Sequence, residues 1–451
     1  MTTSGEGAFD AVSALDSDVF GGIHTSPRFR AVLGERGMLV RCLHAETALA
    51  RAQGEVGLVP GGVAVALASV DFADLNISAL AERTTQVGYP IVGLVEQLKD
   101  LLPDGLGQYV HYGATTQDIL DTAVVLQLRD ACTLIEPLLD ELIETLVDLI
   151  DANRDVVMVA RSQGQHALPT TAAYRFASWL DPLLRHKERL GELRPRLQVL
   201  QLGGAVGTMA AIAPHGLDVR QRMADHLDLD VPTISWHATR DRFVEVVSWA
   251  AQVTASLAKL GLDVALSAQT EIDELVEASP SRDGSSSTMP QKRNPILSQQ
   301  LIRAAKLVRT QLDLALDAAI ADHDRATAMW SLEWSSVAPA IALAGGALEV
   351  AQEAVSTLHV HPDAMRRNLG ATNGFIMSEA VMMKLAPTIG RAEAHDRVQD
   401  MVRKSTAEGR TFTEVLAEYD IDPEIANPET YLGHASEQVE AVRADADERL
   451  R

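Results

Sequence analysis

Apolar residues recur along much of the chain in alternating steps of three and four positions, the spacing that places side chains on one face of an α-helix. The first such run consists of Ile135, Leu139, Leu142, Leu146 and Leu149. The second consists of Val246, Ala250, Val253, Leu257, Leu260 and Val264. This second run lies in a proline-free segment from about residue 242 to 277, which predicts a helix roughly 50 Å long at 1.5 Å per residue. Helices of this length with an apolar stripe pack side by side, so the pattern predicts a central helical bundle.

Three turn or helix-start sequences interrupt this pattern and indicate where domains meet. They are LVPGG at residues 58–62, LLPDGLG at 101–107 and LHVHPDAM at 358–365. We predict an N-terminal helical domain over residues 1–112, a central long-helix bundle over 113–360 and a small C-terminal helical domain over 361–451. Because a large bundle with an alanine-rich seam commonly completes its burial by self-association, we also expect a symmetric homo-oligomer.

The composition favours helices over sheets. Hydrophobic residues make up 47% of the 451 residues and aromatic residues only 4%, so the core consists mainly of Ala, Leu, Val and Ile. Such a composition is typical of packed helices, and the sequence therefore predicts an all-α protein.

The chain is strongly acidic, which narrows the choice of partners. It has 39 Lys and Arg against 62 Asp and Glu, a formal net charge of -23 at pH 7. This charge repels polyanions and argues against nucleic acid or an acidic membrane surface as a partner. Residues 1–18 have no basic start and no apolar run, and no stretch of 18 consecutive apolar residues occurs. We therefore expect no signal peptide, no membrane span and a cytoplasmic location.

The two cysteines, Cys42 and Cys132, are far apart and show neither CxxC nor Cys/His spacing. This pattern predicts two small buried thiols rather than a disulfide framework or a zinc site.

Four polar segments interrupt the helical background, and the first two combine helix-start and hydrogen-bonding residues. HYGATTQD, residues 111–118, contains Thr115 and Thr116, whose hydroxyls and nearby free backbone donors suit a carboxylate, although a plain N-cap is the alternative. ARSQGQHALPTT, residues 160–171, brings Ser162, Gln165 and His166 together as a polar loop between two apolar helices. A lone histidine there would more often be structural, but its polar neighbours favour a functional role.

The other two segments carry positive charge. ISWHATRDR, residues 234–242, offers Arg240 at the start of a helix, where charges are usually solvated or interact with the helix dipole. SPSRDGSSSTMPQKRNP, residues 279–295, combines Gly284 and three serines with Lys292 and Asn294. A serine hydroxyl surrounded by positive donors can act as a nucleophile or a base. A flexible linker would explain the glycine and serines but not the methionine, lysine and asparagine at fixed steps after them.

The run SSTMPQKRNP, residues 286–295, resembles the signature of the fumarase and aspartase superfamily. The similarity extends over nearly the whole chain and is nearest to the 3-carboxy-cis,cis-muconate cycloisomerase branch. Among the segments that carry it are GATTQDILDTA at 113–123, QHALPTT at 165–171, WHATRDR at 236–242 and KRNPILS at 292–298. The resemblance implies a three-domain all-α fold, a homotetramer whose active sites are each formed by loops from three subunits, and a small di- or tricarboxylate substrate. It implies no metal and no cofactor.

The resemblance also implies roles for individual residues. The family glycine before the serine pair is Ser285 here, so counting back from Met289 makes Ser286 the base that removes a proton next to a carboxylate. His166 is implied as an acid or as an orienting group. The implied substrate-binding residues are Thr115, Thr116, Ser162, Gln165, Arg240, Ser287, Lys292 and Asn294.

The expected activity is closure of 3-carboxy-cis,cis-muconate to a carboxymuconolactone, a step of aromatic catabolism in the β-ketoadipate pathway. Tyr89 departs from the branch, which tends to have a small polar residue before this proline. The alternative is therefore a lyase that releases fumarate from an N- or O-substituted succinate, such as an aspartate derivative, nitrosuccinate or an adenylosuccinate-like compound. A non-catalytic homologue is a third hypothesis.

Overall fold

The computed structural model describes residues 11–103, 105–282, 284–326 and 328–450. The expectation that the chain has no signal peptide depends on residues 1–18, and the first ten of these lie outside the described residues.

The protein is mainly helical, as the composition predicts. The α-helices of the described residues are α1 Pro27–Leu33, α2 Glu35–Glu55, α3 Gly62–Ala68, α4 Ile77–Val87, α5 Pro90–Leu101, α6 Thr116–Ala152, α7 Ala172–Leu197, α8 Gly216–Leu227, α9 Asp241–Ser267, α10 Ile296–Ala318, α11 Val337–Ser356, α12 Pro362–Leu369, α13 Ser378–Ile389, α14 Arg391–Glu408, α15 Phe412–Leu416 and α16 Ala435–Arg449. Short 3-10 helices are interspersed at Gly21–Ile23, Phe72–Asp74, Leu106–Tyr109, Ala210–Ile212, Met329–Ser335, Gly370–Thr372, Phe375–Met377, Ala417–Tyr419, Pro423–Ala426 and Pro428–Thr430.

Two small antiparallel sheets accompany the helices. The strands are β1 Val157–Ser162, β2 Gln165–Thr171, β3 Leu275–Glu277 and β4 Leu358–Val360. Within the described residues, β1 pairs with β2 and β3 pairs with β4. The prediction of an all-α fold is confirmed, since these four strands are short.

The chain forms two compact units, each assembled from three separate segments. Unit 1 comprises Met1–Leu138, His186–Ala255 and Arg303–Glu349. Unit 2 comprises Leu139–Arg185, Ser256–Ile302 and Val350–Arg451. The predicted division into three consecutive domains stays a prediction.

The apolar stripe of α9 is buried as predicted, but the helix is shorter than the sequence pattern indicates. Val246, Ala250 and Val253 are each no more than 1% exposed. The helix ends at Ser267 and not near residue 277. The backbone of Asp273 has a φ of 53°, which an α-helix cannot contain, and Leu275–Glu277 pair with β4 instead.

One long apolar segment, Met329–Ser356, meets the length and hydropathy criteria for a membrane span. However, 72% of its most apolar window is buried inside the protein. This burial is what a core helix of a globular protein requires.

Both cysteines are free and buried, which confirms the prediction of two small buried thiols. Burial raises the pKa of the Cys132 thiol to about 12, and it raises the pKa of Cys42 further still. Since the thiolate is the reactive form, both groups are unreactive at neutral pH.

The segment predicted as a polar loop at 160–171 belongs to a β-hairpin. The strand β1 starts with Val157, Met158 and Val159, a run with strong strand preference. Gln163 and Gly164 form the turn, with φ values of 53° and 75°. A two-residue turn with positive φ at both positions matches the twist of the strands that it joins.

Candidate active site

The loop that carries Ser286 lies in unit 2, after β3 and before α10. Ser286 is half-buried, and its Oγ accepts hydrogen bonds from the backbone amides of Thr288 at 3.4 Å and Met289 at 3.2 Å. Donors directed at an oxygen stabilise its negatively charged form. These two donors orient the Ser286 hydroxyl and would add to the stabilisation of an alkoxide there.

Gly284 and Asn294 close the neck of this loop. The backbone amide of Asn294 donates to the Gly284 carbonyl at 3.0 Å, and its side-chain Nδ2 donates to the same oxygen at 2.9 Å. Ser285 and Arg293 form an antiparallel bridge next to it. Gly284 has a φ of 61°, and a Cβ there would lie 2.2 Å from the Asn294 carbonyl oxygen. Only glycine fits at this position.

Two predicted substrate-binding residues, Ser287 and Lys292, are exposed on the same loop. Lys292 and Asn294 line a cleft of about 820 Å³, together with Arg293 and the carboxylates Glu271 and Asp273. Lys292 and Arg293 supply the positive charge of this cleft. The Nδ2 of Asn294 carries two hydrogens, and its bond to Gly284 uses one of them.

The hairpin in unit 2 separates the predicted residues onto two faces. Ser162 stands opposite Gln165, and Arg161 stands opposite His166. Directly opposed residues of an antiparallel pair point to the same face, and successive residues point to opposite faces. The structure therefore brings His166 together with Arg161, while Ser162 and Gln165 share the other face and are exposed.

Arg161 is held beside His166 by a buried carboxylate. Its guanidinium donates to both oxygens of Glu274, at 2.8 and 2.7 Å, and Asn368 Nδ2 adds a bond to Glu274 at 2.8 Å. The Glu274 side chain is fully buried. Sequence reasoning missed Glu274 in this role, although it lies in the segment LSAQTEIDE at residues 266–274.

The imidazole of His166 is neutral at physiological pH. Its pKa is lowered first by burial and then by the positive charge of Arg161, against a smaller opposing effect of Glu274. Its Nδ1 is buried and makes no hydrogen bond within the described residues. A neutral imidazole can donate from one nitrogen and accept at the other, which suits an orienting or proton-transferring group.

In unit 1, Thr115 and Thr116 stand at the start of α6. The helix is capped by Asp118, whose Oδ2 accepts from the Thr115 amide at 2.9 Å. The Thr115 hydroxyl accepts a hydrogen bond from Arg325 at 2.6 Å. Sequence reasoning missed Arg325, although it is the single arginine in the polar segment at residues 321–327. Together, Thr115 and Arg325 provide a hydroxyl and a guanidinium that suit a carboxylate.

Asp118 also anchors two further segments of unit 1. Its Oδ1 lies 2.7 Å from Nε2 of His237 and accepts from the Gly203 amide at 2.8 Å, and its Oδ2 accepts from Gly204 at 2.9 Å. The Nδ1 of His237 lies 3.2 Å from the Ser235 hydroxyl. This buried set holds the Thr115 loop in place and was not identified from the sequence.

Arg240 is enclosed by acidic residues of unit 1. It donates to both oxygens of Asp121, at 2.7 and 2.9 Å, and to both oxygens of Glu333, at 2.7 and 2.5 Å. Burial raises the pKa of Glu333 even beside this guanidinium. Arg240 is 2% exposed, so its surroundings give no support to the predicted role in binding substrate.

Comparison with known proteins identifies the family. A family model described as Lyase matches residues 43–309, and one described as Adenylosuccinate lyase C-terminus matches residues 374–442. The chain belongs to the lyase family of the fumarase/aspartase superfamily. It is accordingly an enzyme, as the sequence resemblance implied.

Relatives of this lyase cover nearly its whole length. A 3-carboxy-cis,cis-muconate cycloisomerase of Pseudomonas aeruginosa is 39% identical over 429 residues, 92% of this chain and 94% of its own. Trans-aconitate decarboxylase 1 of Mycosarcoma maydis is 37% identical over 436 residues, 94% of this chain and 88% of its own. The crystal structure of the 3-carboxy-cis,cis-muconate lactonizing enzyme from Pseudomonas putida matches with a TM-score of 0.92 at 37% identity, covering 96% of this chain and all of that one.

In this lyase, Tyr89 belongs to an aromatic cluster of unit 1. It stacks on Trp330 with ring centroids 5.7 Å apart and meets Trp334 edge-on at 6.5 Å. Tyr89 is 40% and Trp334 42% exposed. The position that departs from the cycloisomerase branch therefore presents an aromatic surface to solvent.

A buried ion pair of the lyase supports the start of the polar segment 111–118. His111 Nδ1 lies 2.6 Å from Oε1 of Glu46, whose side chain is fully buried. Burial lowers the pKa of His111 and Glu46 raises it, with a net shift upward. The backbone of His111 has a φ of 63°, which is uncommon outside glycine and indicates that its surroundings fix it.

Proposed function

We propose that this enzyme is a cycloisomerase that converts 3-carboxy-cis,cis-muconate to a carboxymuconolactone. The observation that carries the proposal is the pair of backbone amides directed at Ser286 Oγ, at 3.4 and 3.2 Å. The loop sequence, the family membership and the cycloisomerase relatives support the same chemistry.

The reaction is an intramolecular addition that takes up one proton, which Ser286 delivers to the substrate and then regains from solvent. A carboxylate oxygen of the substrate forms a bond to a carbon of the double bond. The electron pair of that double bond moves to the neighbouring carbon and into its carboxylate, and Ser286 donates its hydroxyl proton to that carbon. In the reverse direction, the Ser286 alkoxide removes the proton next to the carboxylate, the electrons form the double bond, and the carbon–oxygen bond of the lactone breaks.

The intermediate carries extra negative charge on a carboxylate, and this charge requires fixed donors. We assign Lys292, Asn294 and Ser287 to this carboxylate, since each preorganised donor contributes roughly 3 kcal/mol. Thr115 with Thr116 and Arg325 form a second carboxylate-binding group, and Ser162 with Gln165 contribute hydroxyl and amide contacts. His166 acts as a neutral orienting or proton-transferring group.

The alternative is a lyase of the same family that releases fumarate from an N- or O-substituted succinate. Two observations favour it: the match to the adenylosuccinate lyase C-terminus model and the exposed aromatic cluster around Tyr89. The chemistry of Ser286 is the same in both cases, and only the leaving group differs.

The test is an ultraviolet assay of the purified protein with 3-carboxy-cis,cis-muconate, read as loss of muconate absorbance. The Ser286→Ala variant is compared with Ser178→Ala, which removes an exposed serine of α7. Loss of turnover in Ser286→Ala alone supports the proposal. Fumarate released from adenylosuccinate, nitrosuccinate or an aspartate derivative, with muconate unchanged, establishes the alternative. Turnover of trans-aconitate alone rules out both.

We further propose that the enzyme is a cytoplasmic homotetramer of the β-ketoadipate pathway with three consecutive helical domains. Superfamily members are homotetramers that act on small carboxylates, and each active site there is formed by loops from three subunits. Light scattering of the purified protein would then give four times the mass of a single chain. A monomeric mass with full activity would contradict the proposal.

A further inference from the structure

The first residues of the Ser286 loop converge on one carboxylate of α11. The hydroxyls of Ser279 and Ser281 both donate to Oε1 of Glu353, the second at 2.6 Å. Nε of Arg282 lies 3.3 Å from the other oxygen, Oε2. The Nη1 of Arg282 in turn donates to Gln300 of α10 at 2.9 Å. All of these residues belong to unit 2.

The first turn of α10, directly after the loop, is held in a comparable way. Glu277, the last residue of β3, accepts hydrogen bonds from the amides of Leu297 at 2.9 Å and Ser298 at 2.7 Å. It also accepts from the Ser298 hydroxyl at 2.6 Å. Glu353 thus fixes the first residues of the loop, Glu277 ties β3 to the start of α10, and Gly284 and Asn294 form the neck between them.

We propose that Glu353 is a positioning residue that holds the Ser286 loop in its catalytic arrangement. The inference rests on the proposed role of Ser286 as the base. Glu353 lies outside the motif that carries the family resemblance, and it acts through Ser279, Ser281 and Arg282 without contacting the reacting atoms.

The surroundings of Glu353 distinguish it from an ordinary surface ion pair. Exposed ion pairs contribute little to stability, but the Glu353 side chain is only 23% exposed and receives two hydroxyl donors and a guanidinium. Burial raises the pKa of Glu353, but the combined effect of Ser279, Ser281 and Arg282 lowers it by more, so the net shift is downward. Glu353 is therefore ionised at neutral pH, and Ser279, itself 5% exposed, depends on it as an acceptor.

Replacing Glu353 with glutamine keeps the size of the side chain and removes the charge. The hydroxyl and guanidinium donors then lose a charge-assisted partner, and the loop spends more time away from the arrangement in which Ser286 faces its donors. Because the enzyme converts substrate only while the loop is in its catalytic arrangement, kcat falls in proportion to the fraction of molecules in that arrangement.

The experiment compares the full-length wild type with Glu353→Gln and with Glu349→Gln as the matched control. Glu349 lies four positions earlier on α11 and accepts hydrogen bonds from Ser26 at 3.0 Å and Arg28 at 2.5 Å. It makes no bond to the loop residues that the structure describes. Trypsin cleavage after Lys292 and Arg293, followed by mass spectrometry, reports loop opening without any substrate. Turnover and melting temperature are measured on the same samples.

We expect cleavage of Glu353→Gln to be about ten-fold faster than that of the wild type, at a melting temperature equal to that of Glu349→Gln. We expect kcat to fall by the fraction of molecules whose loop has left the catalytic arrangement, which is about ten-fold if the wild-type loop is open roughly a tenth of the time. Wild-type cleavage rates in Glu353→Gln, or equal acceleration in both variants, would overturn the proposal. If Glu353→Gln fails to fold, Ser281→Ala removes one of the same hydrogen bonds from the loop side and must show faster cleavage. If the wild type turns over no candidate substrate, the proposed function fails, and the cleavage ratio still decides whether Glu353 holds the loop.

Discussion

Arg161 stands directly opposite His166 in the register of the hairpin, so that a guanidinium fixed by a buried glutamate lies beside a neutral imidazole. The positive charge penalises protonation of the imidazole. Because of Arg161, His166 therefore stays neutral down to a lower pH than it otherwise would.

Replacing Arg161 by glutamine should raise the pKa of His166. The change removes a positive charge and leaves Glu274 as an unpaired negative charge, and both effects favour the imidazolium. The neutral form is then lost at higher pH, so the acidic limb of the kcat/KM profile moves to higher pH. NMR titration of labelled histidine measures the shift, with Arg185→Gln on α7 as the control. An unchanged His166 titration would contradict this account.

Gly284→Ala should abolish activity with only a modest loss of stability. Left-handed backbone costs an alanine about 1 kcal/mol, and the added Cβ would also collide with the Asn294 carbonyl at 2.2 Å. Gly409→Ala is the matched control, since its φ of 64° is similar and nothing lies within 4 Å of the added atom. We expect at least a hundred-fold loss of turnover in the first variant only. Equal activity in both would show that the neck does not position Ser286.

Arg240→Met should destabilise the protein strongly. It leaves Asp121 and Glu333 buried without their shared cation, and loss of one member of a buried ion pair costs about 3–5 kcal/mol. Chemical denaturation measures the change in the free energy of unfolding. Arg196→Gln breaks an exposed ion pair with Glu245 and should have little effect. A stable Arg240→Met protein with a raised KM would instead support the predicted role of Arg240 in substrate binding.

Tyr89→Ser should raise kcat/KM for 3-carboxy-cis,cis-muconate if the aromatic surface restricts that substrate. The change removes the stacking of Tyr89 on Trp330, which contributes about 1 kcal/mol of stability in addition to hydrophobic burial. It also introduces the small polar residue that is usual in the cycloisomerase branch. Tyr174→Ser on α7, which also removes a partly exposed tyrosine, is the control. A fall in kcat/KM for this substrate with Tyr89→Ser would show that the ring contacts it directly.

Local patterns predicted much of the fold, because burial repeats with the period of the helix. The stripe from Val246 to Val264 is buried as the spacing indicates. The hairpin was missed because the polar residues after Val159 obscured the short strand pattern. The early end of α9 was missed because the apolar spacing does not show that the chain turns after Ser267 and enters β3.

Contacts between residues far apart in the sequence could not be predicted, because they produce no local sequence pattern. Arg240 forms ion pairs with Asp121 and Glu333, which are 119 and 93 residues away along the chain. Only the fold shows that these carboxylates neutralise the charge of Arg240. Arg325 meets Thr115 across 210 residues. The Ser286 loop was predictable because its distinctive residues follow one another at fixed steps, and their proposed roles await the experiments above.

The neck between Gly284 and Asn294 also has a consequence for engineering. Both bonds from Asn294 end on a single carbonyl oxygen, and the Ser285–Arg293 bridge lies beside them, so residues 285–293 form a ring that is closed at its base. Such a ring can be exchanged as a cassette between relatives, provided that the glycine and the asparagine at its base are retained. Substrate range in this enzyme could then be altered by transplanting one short segment while the helices that support it remain untouched.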